Sequence, residues 1–105
     1  MAGMYCMKDL LELVVREGAE ELRLDVGRRA VMVMGGKPRV IEVPTVTSEN
    51  TAELFRTIAT GEQMAELRKC GDIHFIYLFQ NSVRFSVAAA IQQDEFNLKL
   101  RNLGH

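Results

Sequence analysis

Residues 72–104 read DIHFIYLFQNSVRFSVAAAIQQDEFNLKLRNLG, a segment of apolar alternation interrupted by two short polar runs, QNS and QQDE. From Val83 to Ile91 every second residue is apolar, while Arg84 and Ser86 occupy alternate positions. A period of two is typical of a strand with one buried face. The polar runs have the composition of turns. The segment therefore predicts a three-stranded antiparallel meander.

The part of the chain before the meander predicts a helix and three further strands. Apolar residues spaced one and four positions apart predict a helix over residues 7–17. Gly18 is expected to end this helix in the left-handed conformation that is common just past a helix. We expect strands over residues 21–26, 31–34 and 39–43. A Gly-Gly pair joins the last two as a hairpin, and the proline before the third favours an edge position.

Two more helices are expected between these strands and the meander. Thr47 or Ser48 caps the first of them. Thr60 and Gln63 have the spacing of a capping box, and Gly71 ends the second. The predicted fold is α+β, a single domain over residues 1–105 with helices and an antiparallel sheet in the order α-β-β-β-α-α-β-β-β.

Composition excludes several classes of function. The chain has 105 residues, 48% of them hydrophobic and 26% charged, with a net charge of -1. This balance offers no field that would attract nucleic acid or an anionic membrane. No apolar run reaches the ~20 residues of a membrane span, and residues 1–6 lack the pattern of a secretion signal. We therefore expect a cytoplasmic protein without membrane insertion.

The sequence favours neither a metal nor a cofactor. Cys6 and Cys70 have no metal or redox spacing, and we expect both to be reduced and unpaired, with Cys70 small, apolar and partly buried. His74 and His105 are too few and too separated for a zinc site, and we assign His105 no role. Nothing matches Gly-x-x-x-x-Gly-Lys-Ser/Thr, so no loop is predicted to hold phosphates. We predict that the chain is not an enzyme.

Three segments resemble a known family. RFSVA at residues 84–88 aligns with Arg-Phe-Arg-Val-Asn, and LRNLG at residues 100–104 aligns with Phe-Arg-Thr-Ile-Pro. GAEELRL at residues 18–24 aligns with Gly-Ala-Ser-Asp-Leu-His-Leu. Taken in order without gaps, they resemble the PAS-like N-terminal domain of the type IV pilus retraction ATPases (PilT) and related type II secretion ATPases. The resemblance spans residues 8–104 and lacks the nucleotide-binding domain.

The resemblance implies an interaction or regulatory domain of a pilus (twitching motility) or secretion machine, which packs against an ATPase domain or against itself. Related ATPases use two arginines of this domain to stabilise phosphate charge on a nucleotide held by the neighbouring domain. Ser86 occupies the first of these positions and Arg101 the second. The domain is therefore either degenerate or specialised for something other than hydrolysis.

Five arginines are candidates for contact with a protein partner. Arg84 and Arg101 fall on polar strand faces, which in the family look toward the adjacent nucleotide-binding domain; simple solvent exposure is the alternative. Arg28, Arg29 and Arg39 lie around the hairpin formed by the strands at residues 31–34 and 39–43. Two interpretations are open for them: a docking patch for an acidic partner, or a solvated loop.

The meander has apolar residues left over on the face away from its core stripe, namely Ile76, Leu78, Ala88 and Ala90. A strand apolar on both faces is buried on both sides or meets a partner. We expect a partner, with self-association through the sheet as the simplest form.

Other interpretations remain open. Asp72 and His74 share one side of a strand, and a polar strand face explains them better than acid–base catalysis. An alternative function is a PAS-like module that senses a small ligand or dimerises in signalling. A third interpretation is a piece of a longer ATPase.

Overall fold

A computed structural model describes residues 6–104 of the chain, which form three helices and one six-stranded antiparallel sheet. The order of helices and strands is the predicted one. The helices are α1 (Met7–Glu17), α2 (Ser48–Arg56) and α3 (Gly61–Cys70). The strands are β1 (Glu21–Leu24), β2 (Val31–Met34), β3 (Lys37–Val40), β4 (Asp72–Phe79), β5 (Val83–Gln92) and β6 (Glu95–Gly104).

The predicted meander is confirmed as β4, β5 and β6. Its two connections require backbone in the left-handed region, with φ of 51° and 55° at Gln80 and Asn81 and of 51° and 65° at Gln93 and Asp94. Asn and Asp tolerate this conformation better than most residues, which explains why the polar runs form tight turns.

The two groups of strands join into one sheet of order β3-β2-β1-β6-β5-β4. The junction is the antiparallel pairing of β1 with β6, in which Leu22 lies opposite Leu100 and Leu24 opposite Leu98. All four leucines are buried. The first strand of the chain, β1, and the last, β6, are therefore neighbours at the centre of the sheet.

Capping residues fix the ends of the helices. The N–H of Asn50 donates to Oγ1 of Thr47 at 3.1 Å and the N–H of Thr47 donates to Oδ1 of Asn50 at 3.0 Å, so Thr47 is the cap of α2. Thr60 and Gln63 form the predicted capping box of α3. Each box satisfies two N–H groups that a helix start leaves without partners.

The helices pack on one side of the sheet and form the core with it. Phe55 of α2 is fully buried, and its ring meets the edges of Phe75 and Phe96 at centroid distances of 5.9 and 5.4 Å. Thr51 is the buried polar residue of this core, and its hydroxyl donates to the carbonyl of Ser48 at 3.0 Å. We call this side of the sheet the covered face.

The predicted bounds of two strands were wrong, at the end of β1 and at both ends of β3. β1 ends at Leu24 because the N–H of Val26 donates to the side-chain Oδ1 of Asn97 at 2.8 Å instead of continuing the ladder. β3 runs over Lys37–Val40 because the N–H of Val43 donates to the carbonyl of Ile41 at 2.8 Å, which turns the chain away from the sheet.

Candidate interaction surface

Within residues 6–104 the opposite side of the sheet carries no helix. Its side chains alternate along each strand with the buried core residues, and they are exposed or half-buried. We call this side the open face. It consists of Pro38 and Val40 on β3, Val31 and Val33 on β2, Glu21, Arg23 and Asp25 along β1, Asn97, Lys99 and Arg101 on β6, Arg84, Ser86, Ala88 and Ala90 on β5, and Asp72, His74, Ile76 and Leu78 on β4.

The middle of the open face is charged. Nε of Arg23 donates to Oε2 of Glu21, and this hydrogen bond together with the carboxylate charge raises the pKa of the Arg23 guanidinium. Glu21 also lies opposite Arg101, and Arg23 lies opposite Lys99 on β6. Within residues 6–104 neither Lys99 nor Arg101 forms an ion pair. Two cations of β6 are thus available to a carboxylate of another molecule.

Each end of the open face carries exposed apolar side chains. On β4, Ile76 is 53% exposed and Leu78 is 48% exposed. On the β2–β3 hairpin, Val31 lies opposite Val40 and Val33 opposite Pro38, and Val40 is 56% exposed. The β4 end was predicted from the sequence and the β2–β3 end was not, although four consecutive apolar residues from 31 to 34 indicate a strand that is apolar on both faces.

A shallow depression of about 470 Å³ lies between the charged middle and β4. Small side chains on β5 form its floor, and polar side chains of both charges surround it. These residues are Ala88 and Ala90 on the floor and Asp25, Asp72, His74, Asn97 and Lys99 around it. Such a site can receive a charged side chain of a partner, or a small molecule that carries both a positive and a negative group.

Asp72 and His74 both lie on the open face, as their spacing predicted. Nε2 of His74 shares a hydrogen bond with Oγ of Ser86 on the neighbouring strand, and His74 is exposed. Ser86 therefore has a local partner at the position where the family resemblance places an arginine.

The predicted arginines divide into two groups. Arg84 and Arg101 lie on the open face of adjacent strands, with Arg101 opposite Ser86 and a bulge between Arg84 and Phe85. Arg39 is the partner of Met32 and so lies on the other side of the sheet, where its Nη1 is 3.9 Å from Sδ of Met34.

Arg28 and Arg29 lie apart from Arg39, in the loop between β1 and β2. The carbonyl of Arg28 accepts a hydrogen bond from the N–H of Val46 at 2.7 Å. The role of these three arginines in docking stays a prediction.

Cys6 and Cys70 are both exposed, with free thiols. The prediction that Cys70 is partly buried was wrong, because the last turn of α3 directs it to solvent.

Within residues 6–104 no group of three or more His, Cys, Asp or Glu side chains could hold a metal ion. The helices described have at most 11 residues, and none of them could cross a membrane. His105 and the first five residues, to which the absence of a secretion signal refers, lie outside the described part of the chain.

Neither a protein-family model nor a curated protein sequence matches the chain. Solved structures do. The crystal structure of the pilus retraction motor PilT with bound ADP superposes with a TM-score of 0.83 at 18% identity, covering 92% of this chain and 29% of that one. The Legionella pneumophila ATPase DotB gives a TM-score of 0.75 at 18% identity, covering 91% of this chain and 28% of that one.

At this identity the comparison establishes a shared fold. The chain resembles the N-terminal part of these ATPases and spans less than a third of either protein. The predicted α+β order of helices and strands is confirmed, and so is the predicted likeness to the N-terminal part of such ATPases.

Proposed function

We propose that this chain is a non-catalytic interaction domain whose open face packs against a protein partner. The observation that carries the proposal is the contrast between the two sides of one sheet. Three helices bury the covered face, while the open face leaves Val40, Ile76 and Leu78 each about half exposed. Large apolar side chains exposed together on one side of a sheet mark a site of protein–protein contact.

The shared fold suggests the kind of partner. PilT and DotB are ATPases, and the chain resembles their N-terminal part. The partner would then be an ATPase domain or a subunit of a pilus or secretion machine, and the setting would be cytoplasmic. In that setting Arg84 and Arg101, on the open face of adjacent strands, would face the partner and contact its acidic groups.

The layout of the open face also favours binding over catalysis. The Ser86–His74 pair stands on an exposed sheet surface and lacks the enclosure that strengthens the electrostatics of an active site. The sequence carries no phosphate-binding loop of the Gly-x-x-x-x-Gly-Lys type. Both observations support a role in assembly.

Site-specific photo-crosslinking in cells tests the proposal. A photoreactive amino acid replaces Ser86 or Lys99 on the open face, and in matched controls it replaces Glu53 or Glu66 on the exposed sides of α2 and α3. We expect a discrete protein adduct from the two open-face positions and none from the helix positions. Equal labelling from both sides, or no adduct from the open face, would contradict the proposal. An adduct at twice the 11.8 kDa chain mass would identify a second copy.

A further inference from the structure

We propose that the occupant of the open face is a second copy of this chain, related by a two-fold axis that runs along the strands between β1 and β6. The inference rests on the proposed function, because it names the partner of the same surface. It is drawn from the size of the open face and from how its charged and apolar residues are distributed among the strands.

The open face has the size that a stable dimer needs. Six strands at about 4.8 Å each give a width of about 29 Å, and strands of four to ten residues at about 3.3 Å per residue give a mean length of about 22 Å. The area in plan is therefore roughly 640 Å². A standard interface buries about 800 Å² of accessible surface per partner, which corrugated side chains on such a plane supply.

A two-fold interface must complement itself, because the same patch contributes both sides. Glu21 of β1 and Arg101 of β6 lie directly opposite each other across the proposed axis. A half-turn about that axis places β1 of one copy over β6 of the other. Each Glu21 then faces Arg101 of the second copy, twice per dimer. Arg101, which forms no ion pair within residues 6–104 of its own chain, thereby gains a carboxylate partner.

The same half-turn brings the apolar ends together. The pairing register aligns Pro38, Val33, Glu21, Arg101, Ser86 and Ile76 at one level across the sheet. Rotation therefore places Pro38 over Ile76 of the second copy. Val31, one level along, meets Ala88, and Val40 meets the segment that contains His74 and Ile76. Pro38 and Ile76 therefore cover each other at each end of the dimer, and Val40 lies over His74 beside them.

One kind of like-charged pair results, Arg23 facing Lys99 of the second copy, and it occurs twice per dimer. Arg23 is already bound to Glu21 on its own strand. Lys99 borders the depression together with Asp25 and Asp72. The ion pair of Arg23 with Glu21 limits the repulsion between Arg23 and Lys99 of the second copy.

Charge reversal with mixing tests the arrangement by light scattering across a concentration series in reducing buffer. Glu21→Arg and Arg101→Glu each place two like-charged pairs in the dimer, so we expect each variant alone to dimerise about ten-fold or more weakly than the wild type. An equimolar mixture of the two pairs opposite charges at both positions. We expect the mixture to regain the mass of a dimer.

A second pair of variants controls for net charge. Glu12→Arg and Arg56→Glu make the same charge changes on exposed positions of α1 and α2, away from the open face. We expect each of them, and their mixture, to dimerise as the wild type does. Circular dichroism verifies that every variant is folded. Two further variants, Ile76→Lys and Val40→Lys, place a charge at the apolar ends of the open face, and we expect each of them to weaken the dimer.

The outcomes separate the two proposals. If Ile76→Lys and Val40→Lys abolish the dimer but mixing rescues nothing, the two-fold arrangement is overturned while the open face remains the interface. A wild type that stays monomeric at every concentration overturns the second copy, while an open-face photo-adduct of another mass still supports the proposed function. A dimer insensitive to every open-face variant overturns the inference and places self-association elsewhere. Rescue by mixing supports it, because contacts within one chain cannot produce it.

Discussion

The two faces of the sheet are built from the same strands and differ in almost every other respect. On β1 and β6 the leucines at 22, 24, 98 and 100 are fully buried, while Arg23 and Lys99, which alternate with them, are exposed. One residue of displacement along a strand therefore separates a position that determines stability from one that is free to determine recognition. The covered face specifies the fold, and the open face is where the function proposed above must reside.

The same substitution on each face gives the largest expected contrast. Leu100→Ala removes a fully buried side chain from the covered face, and we expect it to lower the free energy of unfolding by about 2–5 kcal/mol. Leu78→Ala, at a side chain that is 48% exposed, should cost less than about 1 kcal/mol. Urea denaturation measures both. Equal losses would mean that the open face is packed against something within the chain, which would remove the contrast.

The covered face also depends on how its helices are placed. Gly71 ends α3 and begins β4 with a φ of 87°, a conformation that costs a side-chain-bearing residue about 1–2 kcal/mol. We expect Gly71→Ala to destabilise the protein by that amount. Gly61→Ala is the matched control, since Gly61 starts the same helix, is not in the left-handed region and has no atom within 4 Å of an added Cβ. It should be neutral or stabilising by up to about 1 kcal/mol.

Asn97 differs from the other residues of the open face, because its side chain forms a hydrogen bond that supports the backbone. Its Oδ1 accepts the N–H of Val26 at 2.8 Å in a half-buried position. Asn97→Ala should therefore cost about 0.5–1.5 kcal/mol in the free energy of unfolding. Lys99→Ala, two residues along the same strand, should cost less than about 0.5 kcal/mol, since Lys99 has no side-chain hydrogen bond or ion pair in residues 6–104. A smaller loss for Asn97→Ala than for Lys99→Ala would contradict this role.

The fold was largely predictable because its signals are local. Alternation over residues 83–91, the capping spacing of Thr60 and Gln63, and Gly18 and Gly71 at helix ends each depend on a few neighbouring residues. The pairing of β1 with β6 could not be predicted in this way, since Leu22 and Leu100 meet only in the folded chain. The end of β1 was missed for the same reason, because it depends on a hydrogen bond from Val26 to distant Asn97.

The candidate surface was only partly predictable. Ile76 and Leu78 stood out because they are apolar on the polar side of an alternating strand. Val31 and Val33 did not, because a four-residue apolar strand gives no indication of which side is covered. The placement of Arg39 depends on register, since pairing with Met32 directs it away from Arg84 and Arg101. Side-chain direction in the short strands therefore required the sheet.

The smallest expected effect concerns the ion pair at the centre of the open face. Arg23 donates to Glu21, and both groups lie at a surface where water screens their attraction and where ordering two long side chains costs entropy. Arg23→Gln should leave the midpoint of urea denaturation unchanged. Glu21→Gln is the control from the other side of the pair and should behave alike. A clear loss of stability in either variant would mean that the charged middle of the open face helps to stabilise the fold. The open face would then contribute to stability as the covered face does, and the two faces would not be separate in function.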